Sequence, residues 1–321
     1  GLAGEDAAGK DGSGLFEIPA TTNGRGLREV GVLPDATSGL RPVTKTGLPL
    51  PEIAGALADG SLTGLLTVGT DPLADLQGRP AWRAALLKAD YVAVSGFLTE
   101  GVATYADVVF PAEAPAEQEG TLTHPDGRLQ RARPAIKRPE GVRSGWWVLA
   151  QLASRLGDRT PLFTAGMVYA ELVDDVAFYA GITLDAIGGK GLRWQAAAAA
   201  GAWPKGTTQL TSESEPAVVP SANGTLRLSR AGSMWRIPEV AASPALRFMV
   251  PTADARLAPA DAERLELTEG AAATLAVDGV EIAVTTRLDS RVPVGTVVAQ
   301  AGVPGGGADE LPLGPVEVRK A

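Results

Sequence analysis

The chain has 321 residues, 45% hydrophobic and 21% charged, with a formal net charge of -8, no cysteine and one histidine. At ~150 residues per domain this length suits about two domains, and the acidic balance argues against neutralising nucleic-acid phosphates as the main activity. Without thiols or a second imidazole, the sequence cannot build a thiolate-held iron-sulfur cluster, a Cys/His zinc site, a cysteine nucleophile or a disulfide.

The opening GLAGEDAAGKDGSGLFEIP has neither an initiating methionine nor the apolar core of a signal peptide, and it reads as a piece of a longer polypeptide. No apolar run approaches the ~20 residues of a membrane-spanning helix, so direct membrane insertion is not expected. Nor does an Asp-rich loop show calcium-hand spacing. Residues 1–50, rich in Gly, Pro and Thr, predict extended loop with short helical turns at most. PEIAGALADGS then suits a short amphipathic helix, and LTGLLTVGTDP a buried strand ending in a turn at Gly69 to Pro72. RPAWRAALLKADYVAVSGF repeats helix then strand, and ADVVFPA adds a further strand. Strands alternating with helices at this spacing imply an α/β fold, with a mainly parallel sheet flanked by helices.

SGWWVLAQLASRL predicts a helix capped by Ser144 and followed by Gly157. Helical segments continue over residues 164–201, including the alanine run QAAAAAGAW, where propensity favours helix. Residues 206–224 read as a linker. Beyond it, TLRLSR, ATLAVDGVEIAVTTRL and VGTVVAQ are short strands, Asp278-Gly279 marks a hairpin turn, and PADAERLEL is a short helix begun by Pro259. The expected organisation is an α/β domain over residues 1–225, followed by a small β-barrel over residues 226–321.

Four groups of residues invite a functional reading. Gly69, Thr70 and Asp71 lie where a strand meets a loop, the edge at which parallel sheets bind ligands, although Gly-Thr-Asp-Pro is also ordinary turn chemistry. Glu113, Glu117 and Glu119 resemble paired acids for proton transfer, but solvated carboxylates are the simpler reading. In THPDGRLQ, Pro125, Asp126 and Gly127 spell a turn between the arms TLTH and RLQR; His124 beside it lacks a triad partner and reads as a solvated turn histidine. Finally, Arg128, Arg131, Arg133, Lys137, Arg138 and Arg143 face one acid, Glu140, a basic run suited to an anionic cofactor or a partner's acidic surface. Trp146 and Trp147 just after it read as core or interface packing.

Taken in order, these motifs resemble the molybdopterin oxidoreductase family, and within it the G-subunit branch of bacterial NADH:quinone oxidoreductase, respiratory complex I. NGRGLREVGVLP is similar to an N-x-x-G…G-x-x-P segment of the family, and FLTEGVATYADVVFPAEAPAEQEGTLTHPDGRLQ to its TETA…ADVVLPA…AEKEGTFTNTEGRVQ block. LLTVGTDPL resembles the strand and loop that meet the guanosine end of the cofactor. GGKGLRWQ resembles a short Gly-Trp segment, and the stretch from LAPADAERLEL onward resembles the family's double-psi barrel.

The resemblance implies one of two branches. In cofactor-bearing members the candidates Gly69, Thr70, Asp71, Glu119, Gly120, Thr121, His124, Gly127 and Arg128 would meet a molybdopterin guanine dinucleotide. In the complex I branch the fold is empty. No residue here is then catalytic or binds cofactor or metal, iron-sulfur clusters lie in a preceding region or in partner subunits, and the partners are other peripheral-arm subunits at the cytoplasmic face of the inner membrane. Three departures favour the empty fold. His124 stands where Asn is usual, SRAGSMWRIPEVAASPALRFMVP lacks a His-rich turn, and Asp71 sets a negative charge where Asn is common. A stand-alone small-molecule binding module is the reading outside this family.

Overall fold

The computed structural model describes residues 22–76, 78–96, 100–157, 160–204, 225–236, 240, 243–303, 306–312 and 314–321. The linker read over residues 206–224 lies outside them. The residues fall into two compact units, one of residues 1–53 and 110–212, the other of residues 54–109 and 213–321.

In the first unit the Gly-rich opening does contain a helical turn, Gly24–Glu29. A minimal antiparallel ladder pairs Ala36 with Pro42 and Thr37 with Arg41. The Pro-Asp-Gly segment folds as read: Gly120–Thr123 and Arg128–Ala132 pair antiparallel, with Thr121 opposite Arg131 and Thr123 opposite Leu129. A third short strand, Leu192–Arg193, joins Arg128 and Leu129.

The predicted helix after Ser144 forms over Gly145–Leu156, but the Ser144 side chain does not cap it. Its Oγ instead accepts from Arg138, so the hydroxyl fastens the preceding loop. Thr164 does cap the next helix, Ala165–Asp175, accepting from Met167 N at 3.1 Å. The alanine run departs from expectation, forming the 3-10 turns Trp194–Ala196 and Ala198–Ala202. Propensity is overridden by packing there. Trp203, just beyond the run, stacks on Trp194 at 4.9 Å, and both rings meet Phe178, at 4.7 and 4.8 Å respectively. Such aromatic pairs contribute about 0.5–1.5 kcal/mol each beyond their burial, more than a few alanines gain from α geometry.

In the second unit, Gly64–Val68 and Tyr91–Gly96 pair in parallel, from Gly64 with Tyr91 to Val68 with Ser95. The helix Arg79–Lys88 makes the crossover between them, and Val108–Pro111 extends the sheet to three strands. This is the expected parallel arrangement in a smaller sheet than the periodicity suggested. Six further strands close a barrel in the order Asp254–Leu257, Val280–Leu288, Ala272–Val277, Pro315–Lys320, Thr225–Ala231, Thr296–Gln300. Two of its pairings are parallel and the others antiparallel, as in a double-psi-like barrel.

Alternation fills the barrel: Ala273, Leu275 and Val277 point inward from one strand, against Leu226, Leu257, Val297 and Val316 from others. Asp278 and Gly279, with φ of 48° and 81°, make the tight turn read from their sequence. The helix Pro259–Arg264 docks through buried Asp261, which accepts from Gly295 N at 2.6 Å and pairs with Arg264 at 3.0 Å. Arg79 joins the crossover helix to the barrel within this unit, bonding Glu310 at 3.1 Å beside buried Asp309. Truncating Leu275, fully buried at the barrel centre, to Ala is expected to destabilise it by about 2–5 kcal/mol, measured by urea unfolding.

Candidate functional site

The hairpin turn at residues 124–127 is held on every side. His124 N donates to Arg128 O at 2.9 Å and Gly127 N to His124 O at 2.8 Å, closing the turn with Gly127 at φ 81°. The remaining carbonyls are taken from outside the hairpin. Arg25 donates to Pro125 O, Arg193 Nε and Gln195 Nε2 each donate to Asp126 O at 3.0 Å, and Trp194 N donates to Gly127 O at 3.2 Å. A Cβ on Gly127 would come within 2.1 Å of Gln195 Nε2. Gly127 therefore serves both the turn's positive φ and this close approach.

His124 is half-exposed and bonds Asp126 Oδ1 through Nδ1 at 2.9 Å. Partial burial would raise the Asp126 carboxyl, but the bonds from His124 and Arg128 N, with the charges of His124 and Arg193, outweigh it and hold the group below its ordinary value. Arg128 reaches the same carboxylate at 3.8 Å. The solvated-histidine reading is thus sharpened, because His124 belongs to a small ionic cluster on the turn. Glu119, at the open end of the hairpin, pairs with Arg131 at 3.4 Å, while Gly120 and Thr121 lie in the arm itself. Glu113 and Glu117 are not solvated as expected: both are buried, and Glu117 accepts from Ala114 N at 3.0 Å.

Beneath the turn lies a constellation to which sequence reasoning assigned no role. Glu29 is 1% exposed and accepts from Arg25 Nε at 2.8 Å, from Trp194 Nε1 at 3.1 Å and from the Tyr179 hydroxyl. Burial pushes its carboxyl above its ordinary value, against the charge of Arg25 and the three donors. Burial and the Glu29 charge likewise raise Tyr179. Asn23 Oδ1 accepts from Thr123 N at 2.7 Å, so the helix at Gly24–Glu29 grips the hairpin at both Thr123 and Pro125. NGRGLRE and GGKGLRWQ supply all of these side chains except Tyr179; the signal was present as motif and silent as chemistry.

Gly69, Thr70 and Asp71 belong to the other unit, where they turn the chain from the strand Gly64–Val68 into the short helix Pro72–Asp75. A Cβ on Gly69, whose φ is 65°, would meet nothing within 4 Å. Asp71 is buried with both carboxylate oxygens bonded: Oδ1 accepts from Leu73 N at 2.9 Å and Oδ2 from Val102 N at 3.1 Å. Its charge turns inward onto backbone donors. This lessens the expected penalty of a negative charge facing an anionic ligand. Thr70 Oγ1 donates to Asp75 at 2.9 Å. Behind the turn, the buried Thr67 and Ser95 hydroxyls find no hydrogen-bond partner among the described residues. The barrel carries an open cleft of about 440 Å³, lined in part by Trp235, Asp254, Arg256 and Gln300, which the sequence did not single out. Among the described residues no three His, Cys, Asp or Glu gather as a metal site, and no helix is long and apolar enough to cross a membrane.

Comparison with known proteins bears on these features. Residues 20–155, which carry the hairpin and the Gly69 turn, match the family model described as Molybdopterin oxidoreductase. The chain is 32% identical over 189 residues to NADPH-Fe(3+) oxidoreductase subunit alpha of Geobacter sulfurreducens, covering 55% of this chain and 22% of that protein. It is 28% identical over 206 residues to formate dehydrogenase 2 subunit alpha of Methanococcus maripaludis, covering 58% and 30%. Against a nitrate reductase of Klebsiella oxytoca it is 29% identical over 168 residues, covering 46% and 19%. The chain thus spans less than a third of the length of these relatives. Acetylene hydratase from Pelobacter acetylenicus shares the fold, with a TM-score of 0.57 at 14% identity over 86% of this chain and 47% of that one. The likeness to the molybdopterin oxidoreductase family is supported at this level. These three relatives are named as formate, nitrate and NADPH-Fe(3+) enzymes, and none of the three bears the name of a complex I subunit.

Proposed function

We propose that this chain is part of a molybdopterin-dependent oxidoreductase of the formate dehydrogenase and nitrate reductase kind, and that it binds the pterin nucleotide cofactor. The observation that carries this reading is the Gly69 turn. It stands at the carboxyl end of a parallel strand, leaves open space at Gly69, and directs the Asp71 charge onto Leu73 N and Val102 N. These residues fit an anionic nucleotide. Gly69 allows close approach of a phosphate or ribose to the backbone, and Thr67 and Ser95 retain hydroxyls without partners behind it. The cofactor supplies the redox chemistry; the residues of this chain bind and orient it.

The test uses the protein purified from its source. Oxidative release of the cofactor should give near-stoichiometric pterin fluorescence, and Gly69→Val, which fills the open space, should lower the pterin content several-fold. Absence of pterin from the unaltered protein would overturn the reading. A second reading rests on His124 standing in place of the family's usual Asn. In it the chain is a non-catalytic part of the G subunit of an NADH:quinone oxidoreductase, placed among peripheral-arm subunits at the cytoplasmic face of the membrane. That reading expects no pterin, and co-purification with an NADH-oxidising assembly.

A further inference from the structure

The basic run of residues 128–143 is not absorbed by the cofactor reading. Two of its cations are neutralised within the hairpin: Arg128 lies against Asp126 and Arg131 against Glu119. The other four, Arg133, Lys137, Arg138 and Arg143, have no carboxylate partner among the described residues. Arg138 donates to the Ser144 hydroxyl, and Arg143 lies 5.7 Å from the centre of the Trp147 ring. All four are exposed, with Glu140 the single acid between them. The chain as a whole carries -8, so this concentration of positive charge is local.

The strap bearing these charges is built to keep its shape. Ala135 N and Ile136 N both donate to Ala116 O, at 2.7 and 3.2 Å, and Arg143 N donates to Pro111 O at 3.2 Å, fastening the two ends. Pro134 and Pro139 fix two backbone angles within it. Between Arg133 and Lys137, Ile136 is 55% exposed. A preorganised strap loses little entropy on binding, and an apolar centre ringed by cations has the composition of a protein interface core and rim.

We propose that residues 133–143 are a docking surface for a partner protein, which meets them with an acidic patch. A small anion would call for donors converging in a concave site, whereas these cations stand along an exposed strap. A nucleic acid, charged along its whole length, would carry further phosphates past the strap against the acidic remainder of the chain, whereas an acidic patch on a protein can be confined to the strap. The inference does not depend on the cofactor reading.

The test is fluorescence anisotropy on the full chain, with a fluorescein-labelled peptide rich in Glu and Asp as one probe and an oligodeoxynucleotide of equal charge as the other. The peptide should bind and should release as salt rises. The variant Arg133→Glu/Lys137→Glu should weaken its binding by roughly tenfold or more. Lys45→Glu, which reverses another exposed cation, should leave binding within about twofold, showing that place matters as well as net charge. Far-UV circular dichroism of each variant checks folding. Equal loss in both variants, no peptide binding, or tighter binding of the oligonucleotide overturns the proposal.

Discussion

Arg25→Met is expected to destabilise the hairpin unit by about 3–5 kcal/mol near neutral pH and by much less near pH 4. The reason lies in Glu29, whose side chain is 2% exposed and takes its compensating positive charge from Arg25 at 2.8 Å. Removing one partner of a buried ion pair leaves the other uncompensated, at a cost of about 3–5 kcal/mol. The sign with pH follows from the proton balance. Burial raises the folded carboxyl above its ordinary value of 4.5, with Arg25 pulling the other way. Between 4.5 and that raised value the folded state binds more protons than the unfolded chain, so the group's contribution is fully present below 4.5 and is lost as pH rises through the window. Without Arg25 the folded carboxyl rises further and the window widens upward. Near pH 4, where Glu29 is largely protonated in both states, the loss falls on uncharged contacts, among them the Pro125 hydrogen bond and the Arg25 contact with the Trp194 ring, 5.6 Å away. These are worth about 1–2 kcal/mol together. Urea unfolding at the two pH values measures the difference. Arg25→Met/Glu29→Gln should recover most of the neutral-pH loss, since an amide carries no charge to strand. Equal penalties at both pH values would show that the charge plays no part.

Residues that make local structure by their own chemistry could be read from the sequence. Pro125, Asp126 and Gly127 closed their turn, Asp278 and Gly279 theirs, and the helix Arg79–Lys88 joined two parallel strands as the alternating pattern implied. What escaped depends on residues far apart in the chain. Asp254–Leu257 and Pro315–Lys320, needed to close the barrel, are short stretches whose strand character comes from partners such as Val297 and Val298, or Leu275 and Ala276. The alanine run follows aromatic packing against its own helix propensity. In the candidate site, Asp71 shows the same limit. Its charge was legible, but not its direction, and the direction weakens the expected penalty: an acid bonded to Leu73 N and Val102 N aims both oxygens at backbone donors. Burial of Glu29, Glu113 and Glu117 was likewise invisible, because a carboxylate in sequence carries no mark of its surroundings.

Gly31→Ala is expected to destabilise the same unit by about 3–5 kcal/mol, whereas Gly55→Ala should stabilise the protein by about 0.5–1 kcal/mol. Gly31 has φ 85°, and a Cβ there would lie 2.3 Å from Thr37 C and 2.4 Å from Ser38 N. Both neighbours are backbone, so no side-chain rotation relieves the overlap, and the left-handed strain of about 1 kcal/mol adds to it. Gly55 sits within the helix Leu50–Ala58 with nothing within 4 Å of its would-be Cβ, so alanine there gains helix propensity at no steric cost. Thermal and urea unfolding of the two variants separates these cases, and a Gly31→Ala protein as stable as the parent would sink this account. The contrast gives the N-x-x-G…G-x-x-P segment a physical meaning. Asn23 grips Thr123, and Gly26 leaves room for that grip, since a Cβ would fall 2.3 Å from Asn23 Oδ1. Gly31 lets the chain pass against residues 37–38, and Pro34 O receives Gly47 N at 2.7 Å. Together they fix the helix whose Arg25 holds the turn at Pro125. Loss of Gly31 should therefore loosen His124 and Arg128 as well as the fold.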